Sequence, residues 1–237
     1  MKKTLKILII ACVLFGGFFA LNHFQNCNKE AYISITFDDG YLSQYRAADI
    51  LESYGYKGTF YVPAGLMGKE FENRQLMDWS QLKALQEKGH EIGGHTLNHV
   101  HAKDMSEKDY DAEVLEGKNL LLQHGISATD FAYPYGDDAY KQSEKYFKTA
   151  RTTKWCVNKI SANELCGLAL VRINYKLLPV YLSDLKTNGG WLVIVIHSID
   201  ENPRPDVDVT SEQLISILEQ IKNSGIPVKT IAEVANG

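Results

Sequence analysis

The 237-residue chain has no excess of positive charge: 25 lysines and arginines face 29 aspartates and glutamates, a net charge of −4. Lys2, Lys3 and Lys6 stand in the N-terminal tip ahead of any acid, so the body that follows carries −7. An acidic body without a basic stripe argues against a nucleic-acid partner. Internal repeats and low-complexity tracts are also lacking, and 45% apolar residues in a chain of this length suffice for one full core. Nor does a good small-x-small cleavage site follow the tip, because Phe18 stands two residues before Ala20.

What the tip does have is three lysines ahead of an apolar stretch over 7–21, the n-region and h-region of an export signal. A bilayer span takes roughly 17 to 25 residues, so this stretch is marginal, although Leu5 and a snorkelling Lys6 lengthen it. An uncleaved membrane anchor and a cleavable signal both fit, and either leaves the lysines inside and the folded body outside. Ile9-Ile10-Ala11-Cys12 resembles a lipobox, but the apolar run continues past Cys12, which argues against lipidation. Residues 1–30 are therefore expected to be export signal or anchor plus linker, and 31–237 a single folded domain that is secreted, periplasmic or anchored outside the cytoplasmic membrane. Of the four cysteines, Cys12 and Cys27 belong to the tip and its linker. Cys156 and Cys166 would meet an oxidising environment and are candidates for a disulfide; spacing alone leaves two free thiols as the alternative.

From residue 31 strand and helix patterns alternate. β-formers at Tyr32, Ile33, Ile35 and Phe37 run into Asp38-Asp39-Gly40 and predict a strand. Helices are expected over 43–54, from Trp79 to Lys88, from the cap Ser106 to His124, over 138–147, and from the cap Thr210 to Asn223. Further strands are expected over 59–62, at Glu91-Ile92, from Phe131, near Ala150, near Val171 (170–173), over 191–197 and over 226–231. The almost wholly apolar run 191–197 reads as a strand covered on both faces. Repeated βα units imply a parallel sheet with helices outside it. Asp38, Asp39, His95, Tyr135 and His197 then each fall just past the C-terminal end of a strand, where the loops of a (β/α) barrel converge on an active site. A flat doubly wound sheet would gather them on one edge too, so a barrel is favoured over it.

Taken singly, Asp-Asp-Gly is an ordinary turn signal, and a His-x3-His spacing sets two imidazoles on one face only if the segment is helical. On successive strand ends together, one carboxylate and two imidazoles make a three-ligand set for a catalytic divalent metal such as zinc, with positions left open. His90 lies at the wrong end of its strand, and His101 and His124 read as surface residues.

Thr36-Phe37-Asp38-Asp39-Gly40, His95-Thr96-Leu97-Asn98-His99, Tyr133-Pro134-Tyr135-Gly136 and Ile196-His197 resemble the motifs of the polysaccharide deacetylases, carbohydrate esterase family 4 with the NodB homology domain. The resemblance spans roughly 31–231 and implies a distorted barrel with fewer than eight complete βα units. It also implies roles: Asp38 as catalytic base, Asp39, His95 and His99 as metal ligands, the Tyr135 backbone N–H at the oxyanion, and His197 as general acid. Two departures stand out. Ala132 occupies the place of the family's arginine; Arg172 is the first candidate to orient Asp38 instead and Arg151 the second, the alternatives being that Arg172 pairs with a surface acid and that Asp38 works without a guanidinium partner. Trp155 is the candidate for the tryptophan of the fourth motif, but no aspartate accompanies it in Arg151-Thr152-Thr153-Lys154-Trp155. The expected activity is metal-dependent removal of N-acetyl groups from N-acetylglucosamine-containing glycans: chitooligosaccharide, peptidoglycan or exopolysaccharide. The alternatives are an O-acetyl esterase on acetylated xylan and a catalytically dead carbohydrate-binding barrel, the latter disfavoured because a binder needs neither Asp38 nor His197. The metal is expected to be Zn²⁺, with Co²⁺ or Ni²⁺ compatible with the same ligands.

Overall fold

The computed structural model describes residues 29–170, 175–204 and 208–237; the expected signal or anchor and Arg172 lie outside the described residues. In chain order the elements are β1 (Ala31–Phe37), α1 (Leu42–Ser53), β2 (Thr59–Val62), a hairpin of β3 (Glu70–Phe71) and β4 (Arg74–Gln75), α2 (Trp79–Glu87), β5 (Glu91–Gly94), and α3 (Glu107–Gln123). They continue with β6 (Asp130–Ala132), β7 (Thr149–Arg151), β8 (Glu164–Leu165), β9 (Leu168–Ala169), α4 (Leu178–Asn188), β10 (Gly190–Ile196), α5 (Ser211–Ser224) and α6 (Ile231–Ala235). Among the described residues no helix is long and apolar enough to cross a membrane.

Eight strands form one sheet in the order β8-β7-β6-β5-β2-β1-β10-β9, and every neighbouring pair is parallel. The two ends of that order, β8 and β9, are separated in sequence only by Cys166 and Gly167. One short stretch thus pairs with β7 through its first half and with β10 through its second, and the sheet has to curl. The result is an incomplete (β/α) barrel; β7 and β8 are joined without a helix between them.

Period-two alternation sorts the side chains into two layers. Ile33, Ile35 and Phe37 of β1 and Leu192, Ile194 and Ile196 of β10 face outward into the main core shared with the helices. Tyr61, Ala132, Leu165, Trp191 and Val193 form a smaller inner cluster with Ile231 and Val234 of α6. The inward positions of β1 are small and polar, Ser34 and Thr36, and Trp191 Nε1 donates to Ser34 Oγ at 2.9 Å. Asp38 continues that inward series one step past the strand end.

Two expectations need correction. The closing strand over 226–231 reduces to a single bridge, Ile33 to Val228, followed by α6. Thr230 and Glu233 form a reciprocal capping box there, which starts a helix whose Ile231 and Val234 join the inner cluster. The helix over 138–147 is only a 3₁₀ turn at Gln142–Lys145, because Asp137 Oδ1 accepts the Ala139 N–H and Lys141 is left-handed. Of the strand expected near Val171, residues 171–173 lie outside the described residues, and β9 covers Leu168–Ala169 before them. The β3–β4 hairpin and α4 were not anticipated.

Candidate active site

The C-terminal edge of the sheet holds a buried cluster of Asp39, His95 and His99. Asp39 Oδ1 lies 3.0 Å from His99 Nε2 and 3.4 Å from His95 Nε2, and the ligand atoms of all three residues lie within 4.8 Å of one another. Residues 95–99 form a turn rather than a helix, so the two imidazoles do not meet through helical spacing. They converge because Thr96 and His99 both adopt positive φ, 63° and 56°. Asp39 (φ 75°) and Tyr135 (φ 60°) share that left-handed conformation, one that non-glycine residues keep only where the surroundings impose it.

Helix α3 imposes it on the histidine turn. Leu97 N–H donates to the Glu113 carbonyl at 3.0 Å, and Asn98 donates through N–H and Nδ2 to the Glu113 carboxylate at 2.9 and 2.8 Å. Gly117 makes the approach feasible, since a Cβ there would stand 2.7 Å from the carbonyl carbon of Thr96.

The donor set fits a divalent cation. His95 Nδ1 lies 2.6 Å from the Ala132 carbonyl oxygen; a carbonyl only accepts, so Nδ1 carries the proton and Nε2 turns its lone pair toward Asp39. Burial alone would push the Asp39 carboxyl up, but the neighbouring imidazoles of His95, His99 and His197 outweigh it and hold it well below the usual carboxylate range. A carboxylate facing an imidazole lone pair is favourable only with positive charge between them.

Asp38 has the guanidinium that Ala132 cannot supply. Arg151 Nη2 donates to Oδ1 and Oδ2 of Asp38 at 2.5 and 2.6 Å, with Arg151 fully buried and Asp38 3% exposed. Arg151 Nη1 also donates to the Thr152 carbonyl at 3.1 Å, and the guanidinium lies 5.2 Å from the centre of the Tyr61 ring. In the β6–β7 ladder Arg151 is the direct partner of Ala132. The arginine has moved one strand over, and the small side chain of Ala132 leaves it room. Among the described residues the partner of Asp38 is therefore Arg151, the second choice from sequence; Arg172 lies outside them.

Asp38, Asp39, His95 and His99 line a cavity of about 280 Å³ together with Tyr135 and His197. Tyr135 is 55% exposed at its mouth and stacks on His101, whose Nδ1 lies 2.8 Å from Asp137 Oδ2. His101 thus supports the rim rather than lying apart from it. Trp155 is 52% exposed and does not line this cavity. Cys156 and Cys166 are joined as a disulfide that ties the β7–β8 loop to the link between β8 and β9.

Sequence reasoning missed Glu72, Thr153 and Arg204, which also line the cavity. Glu72 stands at the turn of the β3–β4 hairpin, and its Oε2 accepts from Arg204 Nη1 at 2.7 Å and from the Tyr41 hydroxyl at 3.0 Å. Fully buried Asp208 binds Arg204 and Arg74 together, at 3.0 and 2.8 Å. No local pattern marks these residues, because hairpin and loop meet only in the fold. A larger groove of about 660 Å³, lined by Tyr41, Arg46, Arg74 and Asp200, contains none of the clustered histidines.

The family model described as polysaccharide deacetylase matches residues 25–153, more than half of the chain. A peptidoglycan-N-acetylglucosamine deacetylase of Bacillus cereus is 33% identical over 126 residues, covering 52% of this chain and 54% of that protein. The chain spans about half the length of the curated relatives it matches. Among solved structures, IcaB from Ammonifex degensii superposes with a TM-score of 0.57 at 26% identity, over 61% of this chain and 70% of that one. The Xyl-CE4 domain of a multidomain xylanase from the hindgut metagenome of Trinervitermes trinervoides, at 20% identity, shares the fold over 88% of this chain and 91% of its own, with a TM-score of 0.57. With its incomplete barrel and its matching motifs, the chain belongs to the polysaccharide deacetylase family.

Proposed function

We propose that this protein is an exported, metal-dependent hydrolase that removes N-acetyl groups from N-acetylglucosamine-containing glycans. The observation that carries the reading is the pairing of Asp39, His95 and His99, a three-ligand set, with an adjacent carboxylate, Asp38, held by a buried arginine. A divalent ion held by Asp39, His95 and His99 would lower the pKa of water and polarise the acetyl carbonyl.

The chain's own groups divide the remaining work. Asp38 accepts the proton of the attacking water, with Arg151 fixing the direction of its oxygens. The Tyr135 N–H stabilises the oxyanion that develops on the former carbonyl oxygen. His197, on the neighbouring strand end, donates a proton to the departing sugar nitrogen. The exposed Tyr135 ring and the Thr153 hydroxyl face the sugar at the cavity mouth. In this reading residues 1–30 export or anchor the catalytic domain. Acetate release measured over chitooligosaccharides, peptidoglycan and acetylxylan tests it: release from the N-acetylated glycans is expected, and release from acetylxylan alone would replace amide hydrolysis with ester hydrolysis.

A further inference from the structure

β1 and β10 run side by side in parallel register as far as Phe37 and Ile196. One more main-chain bond follows, from Asp38 N–H to the Ile196 carbonyl at 3.0 Å. Beyond it the two strand ends, bearing Asp38 and His197, leave the ladder. Their separation, and with it the spacing of the proposed base and acid, is then no longer set by sheet geometry.

A single side chain takes over at that point. Gln44, fully buried in the first turn of α1, donates through Nε2 to the carbonyl oxygens of both Asp38 and His197, the latter at 2.6 Å. A primary amide has two N–H donors, and both are used here. Its own Oε1 has no partner among the described residues. The flipped amide would set that oxygen against two carbonyls, so the bonding fixes which end is nitrogen. An orphaned buried acceptor is unfavourable, and a leucine or methionine kept for packing would avoid it. The amide is thus explained by the two carbonyls and not by the space it fills.

We propose that Gln44 is a positioning residue that fixes the gap between the main chains of Asp38 and His197, and so the alignment of base and acid on either side of the scissile amide. The inference rests on the roles assigned to Asp38 and His197 above. Gln44 touches neither the cavity nor the metal-ligating atoms, so its removal should act on turnover more than on substrate or metal binding.

The test uses the full chain with Gln44→Leu and Gln44→Met. Metal content, kcat and KM on chitopentaose, and crystal structures of both variants are compared with wild type. Expected are a loss of at least tenfold in kcat, a KM within about twofold, unchanged metal content, and a visibly wider gap between the Asp38 and His197 main chains. The crystallographic comparison needs no substrate, so it decides on Gln44 even if wild type releases no acetate, a result that would defeat the deacetylase reading alone. Folded variants with an unchanged gap, or with an unchanged kcat in an active enzyme, overturn the inference. Failure of both variants to fold also overturns it, because the amide would then hold the fold rather than the catalytic alignment.

Discussion

Replacing Arg151 with methionine removes one member of a fully buried ion pair and leaves the other in place. Arg151 is 0% and Asp38 3% exposed, so water cannot take over the role of the guanidinium. Breaking a buried pair from one side costs about 3 to 5 kcal/mol, and here the Thr152 carbonyl and the Tyr61 ring lose their contacts as well. In a domain of this size that corresponds to a fall in melting temperature of about 6 to 20 °C. Turnover should fall at least about tenfold, or roughly 1.4 kcal/mol, because the oxygens of Asp38 lose their fixed direction. Calorimetry and acetate-release kinetics read both effects. Arg172→Ala is the comparison: with both oxygens of Asp38 already engaged by Arg151, it is expected to stay near wild type. A melting temperature and turnover unchanged in Arg151→Met, or the large losses appearing in Arg172→Ala instead, would refute the reasoning.

His99→Ala should bind far less than the one divalent ion per chain expected of wild type, measured by titration calorimetry; full retention would remove His99 from the ligand set. Reducing the disulfide between Cys156 and Cys166 should destabilise the protein by about 3 kcal/mol, read in denaturant melts with and without reductant, and equal melts would contradict this. Burial and the hydrogen bond with Asp130 push Glu91 well above its ordinary value, so the native state holds a proton that the unfolded chain releases. Stability should therefore fall as pH rises from the ordinary glutamate value toward the folded one, and Glu91→Gln should flatten that slope. Denaturant melts across the same pH range check it, and parallel slopes in the two proteins would contradict it.

Much of the site could be read from the sequence because its parts lie at strand ends. Asp38, Asp39, His95, Tyr135 and His197 follow four strands, β1, β5, β6 and β10, and alternation alone carries Asp38 inward after Ser34 and Thr36. Arg151 could have ranked first by the same rule: Ala150 faces the outer core, so its neighbour Arg151 faces inward, toward Asp38. The sequence does hold a signal for α6, since Thr230 and Glu233 have capping-box spacing, but the β-forming run before them obscured it. Other features had no local signal. The positive φ of Asp39, His99 and Tyr135 is imposed by packing, and Gly117 on α3 gains its meaning only against Thr96. Likewise the contacts of Glu72, Arg204 and Asp208 span more than a hundred residues between hairpin and loop.

The most direct test of the central claim is acetate release from chitopentaose by metal-stripped protein as zinc is added back. The account predicts no release without metal and a rise that saturates at one ion per chain, with the fold unchanged throughout by circular dichroism. Release that persists at full rate in the stripped protein, or that no divalent metal restores, would contradict it.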